Sequence, residues 1–311
     1  MANYIRMIFF IFDIQFQQFR LNGSIIINHQ IAFMKPSILC AAFFSLILLY
    51  STAQSQEHKL VKQWETDTLL KVPESVLYSA ANKVLYVANI DGQPWEMDGK
   101  GSIGKVGLDG KIIASEWVTG LNAPKGMGIY GGKLYVADVN VVAVIDLRQG
   151  KIIERIPIEG AKGLNDLTID SKGAIYVSDS QTKKLHRIEK GKVTTVAENM
   201  KGPNGVLAVG TALYAVDAGG LYKVEKGGSL TKIADGMEGG TDGIEAVGNG
   251  DFIVSCWAGS IWYVHADGRK DHLLDTREQK INSADIGYDP AKKIVYVPTF
   301  WKNSIVAYTL Q

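Results

Sequence analysis

Cysteine is scarce in this sequence, with only Cys40 and Cys256 in 311 residues. Cys40 lies in an apolar N-terminal run, so a chain cleaved beyond that run keeps one thiol and cannot form an internal disulfide. We therefore expect the exported domain to depend on core packing and closure of its own fold rather than on cross-links.

Net charge is almost absent as well. The chain has 33 Lys and Arg against 32 Asp and Glu, and cleavage after residue 53 would leave 30 basic and 31 acidic residues. No basic block interrupts this balance. Because nucleic-acid binding needs a concentrated positive surface, we predict no nucleic-acid partner.

Motifs of several enzyme classes are also missing. The sequence has no Gly-x-Ser-x-Gly nucleophile elbow. Residues 99–105 have the spacing of a phosphate-binding loop, but Val106 replaces the Ser or Thr that would hold Mg²⁺, and strand residues follow where a helix should begin. We predict no nucleotide partner. Four histidines lack metal-site spacing and are interpreted as surface or packing residues: His58, His186, His265 and His272.

The N-terminal region has the pattern of a secretory signal. Met34 and Lys35 precede an uncharged run of 14 residues, 37–50, and residues 51–54 are small or polar, as at a cleavage site. The run is shorter than the roughly 20 residues of a membrane-spanning helix. We predict a signal peptide at 34–54, a periplasmic or secreted protein, and no stable membrane span after cleavage.

Residues 1–33 lie upstream of that signal. We interpret them as a spurious extension from a misplaced start codon. The alternative is a longer signal or anchor that includes residues 8–12, although Asp13 and three glutamines interrupt it.

The rest of the chain repeats one pattern six times. Each copy contains a short apolar strand that ends near a polar residue, and successive copies are 49, 41, 38, 39 and 43 residues apart. The copies begin at Leu85, Leu134, Ile175, Leu213, Phe252 and Val295. This spacing is typical of propeller blades, which repeat at roughly 40 to 50 residues.

Each copy has room for four strands. In the fourth copy we place them at 205–209, 213–217, 221–225 and 230–234, with Gly-containing turns between strands. The last copy has only three, and the segment 60–66 can supply its fourth. We predict an all-β fold, a six-bladed β-propeller over residues 57–311 that is closed by pairing of its N-terminal and C-terminal strands.

Polar side chains stand just before the first strand of most blades, at positions that open on one central mouth. These positions hold Glu74, Lys125, Asn165, Asn204, Asp242 and, in the last blade, Ser283 or Ala284. Carboxylate and amide oxygens are the ligands of hard cations such as Ca²⁺. The pattern indicates a divalent cation at the mouth. The alternative is that Asn204 and Asp242, each followed by Gly, are only turn residues that tolerate left-handed backbone.

Two further groups of residues recur at the blade ends. Asp138, Asp179 and Asp217 end three copies of the second strand, and we interpret them as structural caps of the turn that follows. Three tryptophans lie in turns on the mouth face: Trp95, Trp257 and Trp301. These three either form a ligand-stacking rim or seal the upper face by packing.

Four short motifs resemble the blade-start motifs of the senescence-marker-protein-30/gluconolactonase family of sugar lactone lactonases. They are Pro73-Glu74-Ser75-Val76, Leu164-Asn165-Asp166, Gly202-Pro203-Asn204-Gly205 and Thr241-Asp242-Gly243. The resemblance implies a six-bladed propeller with one divalent metal on its axis, commonly Ca²⁺, with Zn²⁺, Mg²⁺ or Mn²⁺ left open.

Carried over to this chain, the resemblance makes Glu74, Asn204 and Asp242 metal ligands, Asn165 a further ligand or substrate contact, and Asp242 the general base. Members that hydrolyse sugar lactones often have an Arg two residues before the third-blade Asn, where this chain has Gly163. That departure leaves the identity of the lactone open.

These observations predict an exported, metal-dependent hydrolase of the lactonase type. It would open a lactone or ester with a metal-activated water, and Lys125, Asn165, Trp95, Trp257 and Trp301 would contact the small-molecule substrate. The alternative is a non-catalytic propeller that binds a small ligand or a protein partner at its Trp-rich mouth.

Overall fold

A computed structural model of the chain describes residues 58–311. The interpretations of residues 1–33 and 34–54, and the export that depends on them, fall outside the described residues. Within 58–311 the structure is almost entirely β, and Phe300–Lys302 forms the only helical turn, a 3-10 helix. No helix in this range is long and apolar enough to cross a bilayer.

Twenty-four strands form six antiparallel sheets of four strands each, which confirms the six-bladed propeller. The first three blades contain β2 (Pro73–Ser79), β3 (Val84–Asn89), β4 (Gly101–Gly107) and β5 (Ile112–Leu121); β6 (Pro124–Tyr130), β7 (Lys133–Asp138), β8 (Val141–Asp146) and β9 (Lys151–Pro157); and β10 (Leu164–Ile169), β11 (Ile175–Asp179), β12 (Lys184–Glu189) and β13 (Lys192–Ala197).

The fourth and fifth blades follow the same order, with strand bounds within two residues of those expected for the fourth. They contain β14 (Pro203–Val209), β15 (Ala212–Asp217), β16 (Gly220–Val224) and β17 (Leu230–Ala234); and β18 (Thr241–Gly248), β19 (Asp251–Cys256), β20 (Ser260–Val264) and β21 (Lys270–Asp275).

The sixth blade combines the two ends of the described chain. Its strands are β22 (Gly287–Asp289), β23 (Ile294–Pro298), β24 (Ile305–Leu310) and β1 (Leu60–Glu65), and β1 pairs antiparallel with β24. The ring is therefore closed by its N-terminal strand, as predicted. This pairing covers the edge that β24 would otherwise leave open.

Six buried apolar clusters lie between neighbouring blades and hold the ring together. Between the first two blades, for example, Tyr86 and Ile103 pack with Leu134 and Val136. These side chains alternate along their strands with residues of the opposite sheet face, since side chains in a strand point alternately to its two sides. Full burial of one such aliphatic side chain contributes about 1.5–3 kcal/mol.

The inner strands approach one another closely around the axis. Ser75 and Asp285 form a parallel bridge between β2 and the segment before β22, and β22 itself has three residues. A Cβ on Gly126 would lie 2.3 Å from the Asp166 carboxylate, and one on Gly205 would lie 2.4 Å from the Asp242 carbonyl oxygen. Glycine is therefore required where these strands approach.

Candidate functional site

Five inner strands carry a predicted site residue at their second position. In all five, the pairing with the next strand shifts register at this point. The residues are Glu74, Lys125, Asn165, Asn204 and Asp242. A bulge of this kind changes the direction of a side chain without ending the strand. The prediction that these residues stand just before the first strand is therefore wrong, because all five lie within it.

The turn-residue alternative for Asn204 and Asp242 does not hold in this structure. Both are strand residues, and neither has a positive φ. Proline begins the strand at Pro73, Pro124 and Pro203, where the missing N–H costs the sheet little. Turn geometry therefore does not explain why Asn204 and Asp242 occupy a bulged position in their strands.

Two carboxyls and one ammonium form a buried electrostatic group. Burial raises the pKa of Glu74 to about 8; Lys125 opposes this rise and Asp285 adds to it. Burial also raises the pKa of Asp242 well above its usual range, with a further rise from Glu74 and an opposing hydrogen bond from Asn204. Burial lowers the pKa of Lys125, whereas Glu74 and Asp242 raise it. The fold thus brings these groups from separate blades together.

Three side-chain oxygens, from the two carboxyls and from Asn204, have no hydrogen-bond partner among the described residues. They are Glu74 Oε2, Asn204 Oδ1 and Asp242 Oδ1, and all three atoms are buried. A buried acceptor without a partner costs about 1–3 kcal/mol. Two carboxylates and one amide oxygen are the donor types that Ca²⁺ and other hard cations take. The residues therefore fit a divalent cation.

The Asn165 side chain has a protein partner. Its amide donates a hydrogen bond to Ser180 Oγ at 3.0 Å, and that hydroxyl donates to the Pro203 carbonyl at 2.6 Å. The chain of contacts ends one residue before Asn204. Ser180 was not predicted, and it links the third blade to the start of the fourth.

Lys125 and Trp95 meet under the long loop of the first blade. The Lys125 ammonium donates to the Pro94 carbonyl at 2.7 Å and lies 4.5 Å from the centroid of the Trp95 ring. The lysine is only 2% exposed. Trp95 thus covers the cation of the electrostatic group, an arrangement in which the ring face stabilises the charge.

The other two tryptophans are linked through Phe300. Trp257 and Trp301 both pack edge-on against this buried ring, at 5.5 and 4.8 Å between centroids. Their own rings remain 40% and 46% exposed. Phe300 therefore supplies packing at this face, and Trp257 and Trp301 present apolar surface to solvent.

The sixth blade contributes no free polar side chain at the corresponding position. Ser283 Oγ donates to the Cys256 carbonyl at 2.9 Å, and Ala284 packs in an apolar cluster with Ile90 and Phe300. The cluster lies beside the first and last blades. The sixth predicted position is therefore structural.

A second pair of acids, which sequence reasoning missed, lines an axial cavity. Asp166 accepts the backbone N–H of Val206 at 2.7 Å, and Asp285 accepts the Ser75 hydroxyl. Burial raises the pKa of Asp285 to about 7, opposed by hydrogen bonds with Ser75 and Asp166. The cavity has a volume of about 290 Å³ and follows the inner strands.

Glycine was the sequence signal that could have located these acids. Gly126 and Gly243 occupy the third position of their inner strands, and a Cβ there would lie 2.3 Å from Asp166 Oδ1 and 2.6 Å from Asp285 Oδ1. A small residue in one blade thus makes room for a carboxyl in the next. This glycine signal can be recognised only after the inner strands of the blades have been aligned with one another.

The repeated aspartates at the ends of the second strands are structural. Asp138, Asp179 and Asp217 accept hydrogen bonds from the backbone N–H groups of Ala123, Gly163 and Gly202. They hold the segment that leads into the inner strand of the same blade. Only Asp179 also caps the turn that follows, through the Thr182 N–H at 2.8 Å.

The structure brings two of the histidines together, which their spacing in the sequence did not predict. His272 is an exposed residue that stacks on Trp262 at 4.2 Å, as a surface residue would. His58 and His265, however, both contact Asp271 and form a cluster with metal-ligating atoms. The long chain separation of these residues hid the cluster from spacing rules.

Comparisons with known proteins support the fold. No protein-family model matches the sequence, and no curated protein matches it. Among solved structures, a streptogramin B lyase is 14% identical with a TM-score of 0.62, and the match covers 82% of this chain and 99% of that chain. Virginiamycin B lyase from Staphylococcus aureus is 18% identical with a TM-score of 0.58, covering 82% and 100%.

A protein proposed to be a gluconolactonase is 13% identical with a TM-score of 0.61, and the match covers 82% of this chain and 92% of that chain. Its presence among the neighbours agrees with the resemblance seen in the sequence at the level of fold. At sequence identities this low, structural similarity shows the fold alone, and the chemistry has to be argued from the residues of the site. The chain is therefore a six-bladed propeller whose structural neighbours include both lyases and a gluconolactonase-like protein.

Proposed function

We propose that this chain is an exported, metal-dependent hydrolase that opens a lactone or ester bond in a small molecule. The observation that carries the proposal is the set of three buried oxygens without partners, Glu74 Oε2, Asn204 Oδ1 and Asp242 Oδ1. The resemblance to the senescence-marker-protein-30/gluconolactonase family supports it, and so does the gluconolactonase-like neighbour.

Glu74, Asn204 and Asp242 hold the cation, and Ca²⁺ is the first choice because all three donors are oxygens. When bound, a divalent cation polarises a carbonyl oxygen and lowers the pKa of a nearby water. Lys125 offsets part of the negative charge of Glu74 and Asp242. The Pro94 carbonyl and the Trp95 ring keep its ammonium in place.

Asp242 acts as the general base. Burial raises the pKa of Asp242 well above its usual range in the metal-free site, and a bound cation would favour the ionised carboxylate that a base requires. The carboxylate takes a proton from water as the water oxygen attacks the carbonyl carbon. The ring C–O bond then breaks, and Asp242 returns the proton to the leaving alkoxide, so the product is a hydroxy acid.

Asn165 and the exposed tryptophans position the substrate. Asn165 is fixed by Ser180, while Trp257 and Trp301 offer apolar ring faces beside the mouth. Gly163 stands where an Arg would grip a sugar, and a side chain there would meet Gln181 at 2.6 Å. We therefore favour a lactone with an apolar face over a highly hydroxylated sugar lactone.

The test begins with the purified chain, stripped of metal by a chelator and assayed on a panel of lactones and aryl esters. We expect no turnover without metal and recovery with Ca²⁺, Mn²⁺ or Zn²⁺. Asp242→Asn should lose at least 100-fold in kcat, because a general base contributes about 10² to 10⁴ in rate. Full activity after chelation, or in Asp242→Asn, contradicts the proposal.

A lyase is the second candidate, because two of the structural neighbours are called lyases. An elimination takes a proton from carbon and adds no water to the product. Turnover in ¹⁸O-labelled water decides between the two reactions. Hydrolysis places one labelled oxygen in the product carboxylate, and elimination leaves the product unlabelled.

A non-catalytic binding protein is the remaining alternative, favoured by the exposed rings of Trp257 and Trp301. Bound metal without turnover of any lactone or ester would support it. Export is tested separately by N-terminal sequencing of the protein recovered outside the cytoplasm. A mature N-terminus near residue 55 is expected, and an intact Met1 or Met34 would contradict the predicted signal.

A further inference from the structure

A second group of metal-ligating side chains lies where the ring is closed. His58 lies two residues before β1, the closing strand, while His265 follows β20 and Asp271 lies in β21 of the fifth blade. The His58 Nδ1 lies 2.7 Å from Asp271 Oδ2, and the His265 Nε2 lies 3.1 Å from the same oxygen. All three ligand atoms lie within 4.8 Å of one another.

The two imidazoles have the spacing of ligands to one ion. Zinc–nitrogen bonds of about 2.0–2.1 Å in a tetrahedral site put two ring centroids about 5 Å apart. The His58 and His265 rings are 5.4 Å apart and tilted by 55°. Two nitrogens and one carboxylate oxygen form a set that suits Zn²⁺, with water as the fourth ligand.

Neighbouring side chains hold the His58 and His265 rings in place. Tyr263 stacks on His58 at 3.7 Å with the rings nearly parallel, and lies 4.9 Å from His265. The Tyr263 hydroxyl in turn donates to Asp251 at 2.7 Å, which fixes the tyrosine. Such outer contacts orient metal ligands before the ion binds. A flexible surface histidine would have none of this support.

The three ligand side chains are partly exposed to solvent. The side chains of His58, His265 and Asp271 are 27%, 14% and 19% exposed. An ion in solution can therefore reach the three ligand side chains.

We propose that His58, His265 and Asp271 bind one Zn²⁺, and that the ion fastens the closing strand to the fifth blade. His58 is 213 residues from Asp271 in the sequence, and Lys59 next to it pairs with Gln311 at the chain end. The ion thus joins the seam of the ring to a blade that β1 does not pair with. This site is independent of the axial residues and of the proposed hydrolysis.

The test uses the untagged chain, because a histidine tag would bind zinc itself, and follows thermal unfolding with and without Zn²⁺. At a free concentration of about 100 times Kd the ratio of folded to unfolded protein rises about 100-fold. For a domain of this size that corresponds to a rise in Tm of about 5–10 °C. In Asp242→Asn, which lacks one of the proposed axial ligands, calorimetry should give one zinc ion per chain, and a chelator should reverse the shift.

Matched variants assign the effect to these residues. Each is made in the Asp242→Asn background, so that zinc on the axis does not contribute. There His58→Ala and His265→Ala should each abolish the Zn²⁺-dependent shift. His272→Ala should keep it, since this exposed imidazole stacks on Trp262 outside the cluster. Asp242→Asn should also keep it, which separates the shift from metal bound on the axis.

Co²⁺ provides a spectroscopic check, because a tetrahedral site gives visible absorption that six-coordinate aqueous Co²⁺ lacks. We expect the absorption in the wild-type chain and in His272→Ala, and none in His265→Ala. No zinc-dependent shift in the wild-type chain overturns the proposal. So does a shift of equal size in His58→Ala and His265→Ala.

Discussion

Replacing Glu74 with Gln removes an ionisable group from the buried site while keeping its size. Burial raises the pKa of Glu74 from 4.5 to about 8. A raised folded-state pKa means that the folded protein holds the proton more tightly than the unfolded chain. The stability this gives is fully present below pH 4.5 and is lost as pH rises through about 8. At 1.36 kcal/mol per pKa unit, the loss is of order 5 kcal/mol.

Gln cannot ionise, so Glu74→Gln should lack this pH dependence. Urea unfolding in the presence of a chelator measures the free energy of unfolding at pH 5 and pH 8.5. At pH 5 the two proteins should be similar, and at pH 8.5 the variant should be more stable by several kcal/mol. Adding Ca²⁺ at pH 8.5 should reverse the order, because only the wild-type site then binds the ion through Glu74.

A matched control is Glu198→Gln, which changes an exposed acid. Its effect should stay within about 0.5 kcal/mol at both pH values. The reasoning fails if Glu74→Gln and wild type differ by the same amount at pH 5 and pH 8.5. In that case the carboxyl ionises as freely in the folded protein as in water.

Three further changes test the packing and the mouth. Gly126→Ala should lower the free energy of unfolding by more than about 2 kcal/mol, because its Cβ would lie 2.3 Å from the Asp166 carboxylate. Gly239→Ala, whose Cβ would meet open space, should be near neutral in the same unfolding assay. Asp138→Ala should lower the free energy of unfolding by about 1–3 kcal/mol, since buried N–H groups lose their acceptor. An unchanged Tm would refute the role of Asp138 in holding the segment before its inner strand. Trp301→Ala should raise KM several-fold with little change in Tm, and unchanged kinetics would remove the ring from the substrate site.

The fold could be predicted because its signal is repeated. Six similar strand patterns fix the number of blades, and a last unit with three strands identifies residues 60–66 as the missing fourth. The pairing of Leu60 with Leu310 and Glu65 with Val306 confirms that deduction. The bridge between Asp285 and Ser75 of the first blade could not be predicted, because it joins residues that are far apart in the chain.

The candidate site could be predicted only in part. The pattern predicts that Glu74, Lys125, Asn165, Asn204 and Asp242 share one position of the blade, which the structure confirms. The choice of Glu74, Asn204 and Asp242 as ligands came from the family resemblance and stays a prediction. Asp166 follows Asn165 directly, and in a regular strand adjacent side chains point to opposite faces. The register shift in β10 changes that rule, and no local sequence signal marks the shift.

The cluster of His58, His265 and Asp271 shows the limit of spacing rules. His58 and Asp271 are 213 residues apart, and they meet because ring closure brings the segment before β1 next to the fifth blade. No motif with fixed spacing can describe such a pair. Ring closure, which the repeat predicts, is the step that brings them together.

The most direct test of the central claim is a crystal structure grown with Mn²⁺ or Ca²⁺, with anomalous scattering used to locate the ion. We expect one peak on the propeller axis, with Glu74 Oε2, Asn204 Oδ1 and Asp242 Oδ1 as ligands, at about 2.3–2.6 Å for Ca²⁺. An axis without a peak at saturating metal would contradict the claim. So would an ion bound elsewhere while these three oxygens remain without a partner.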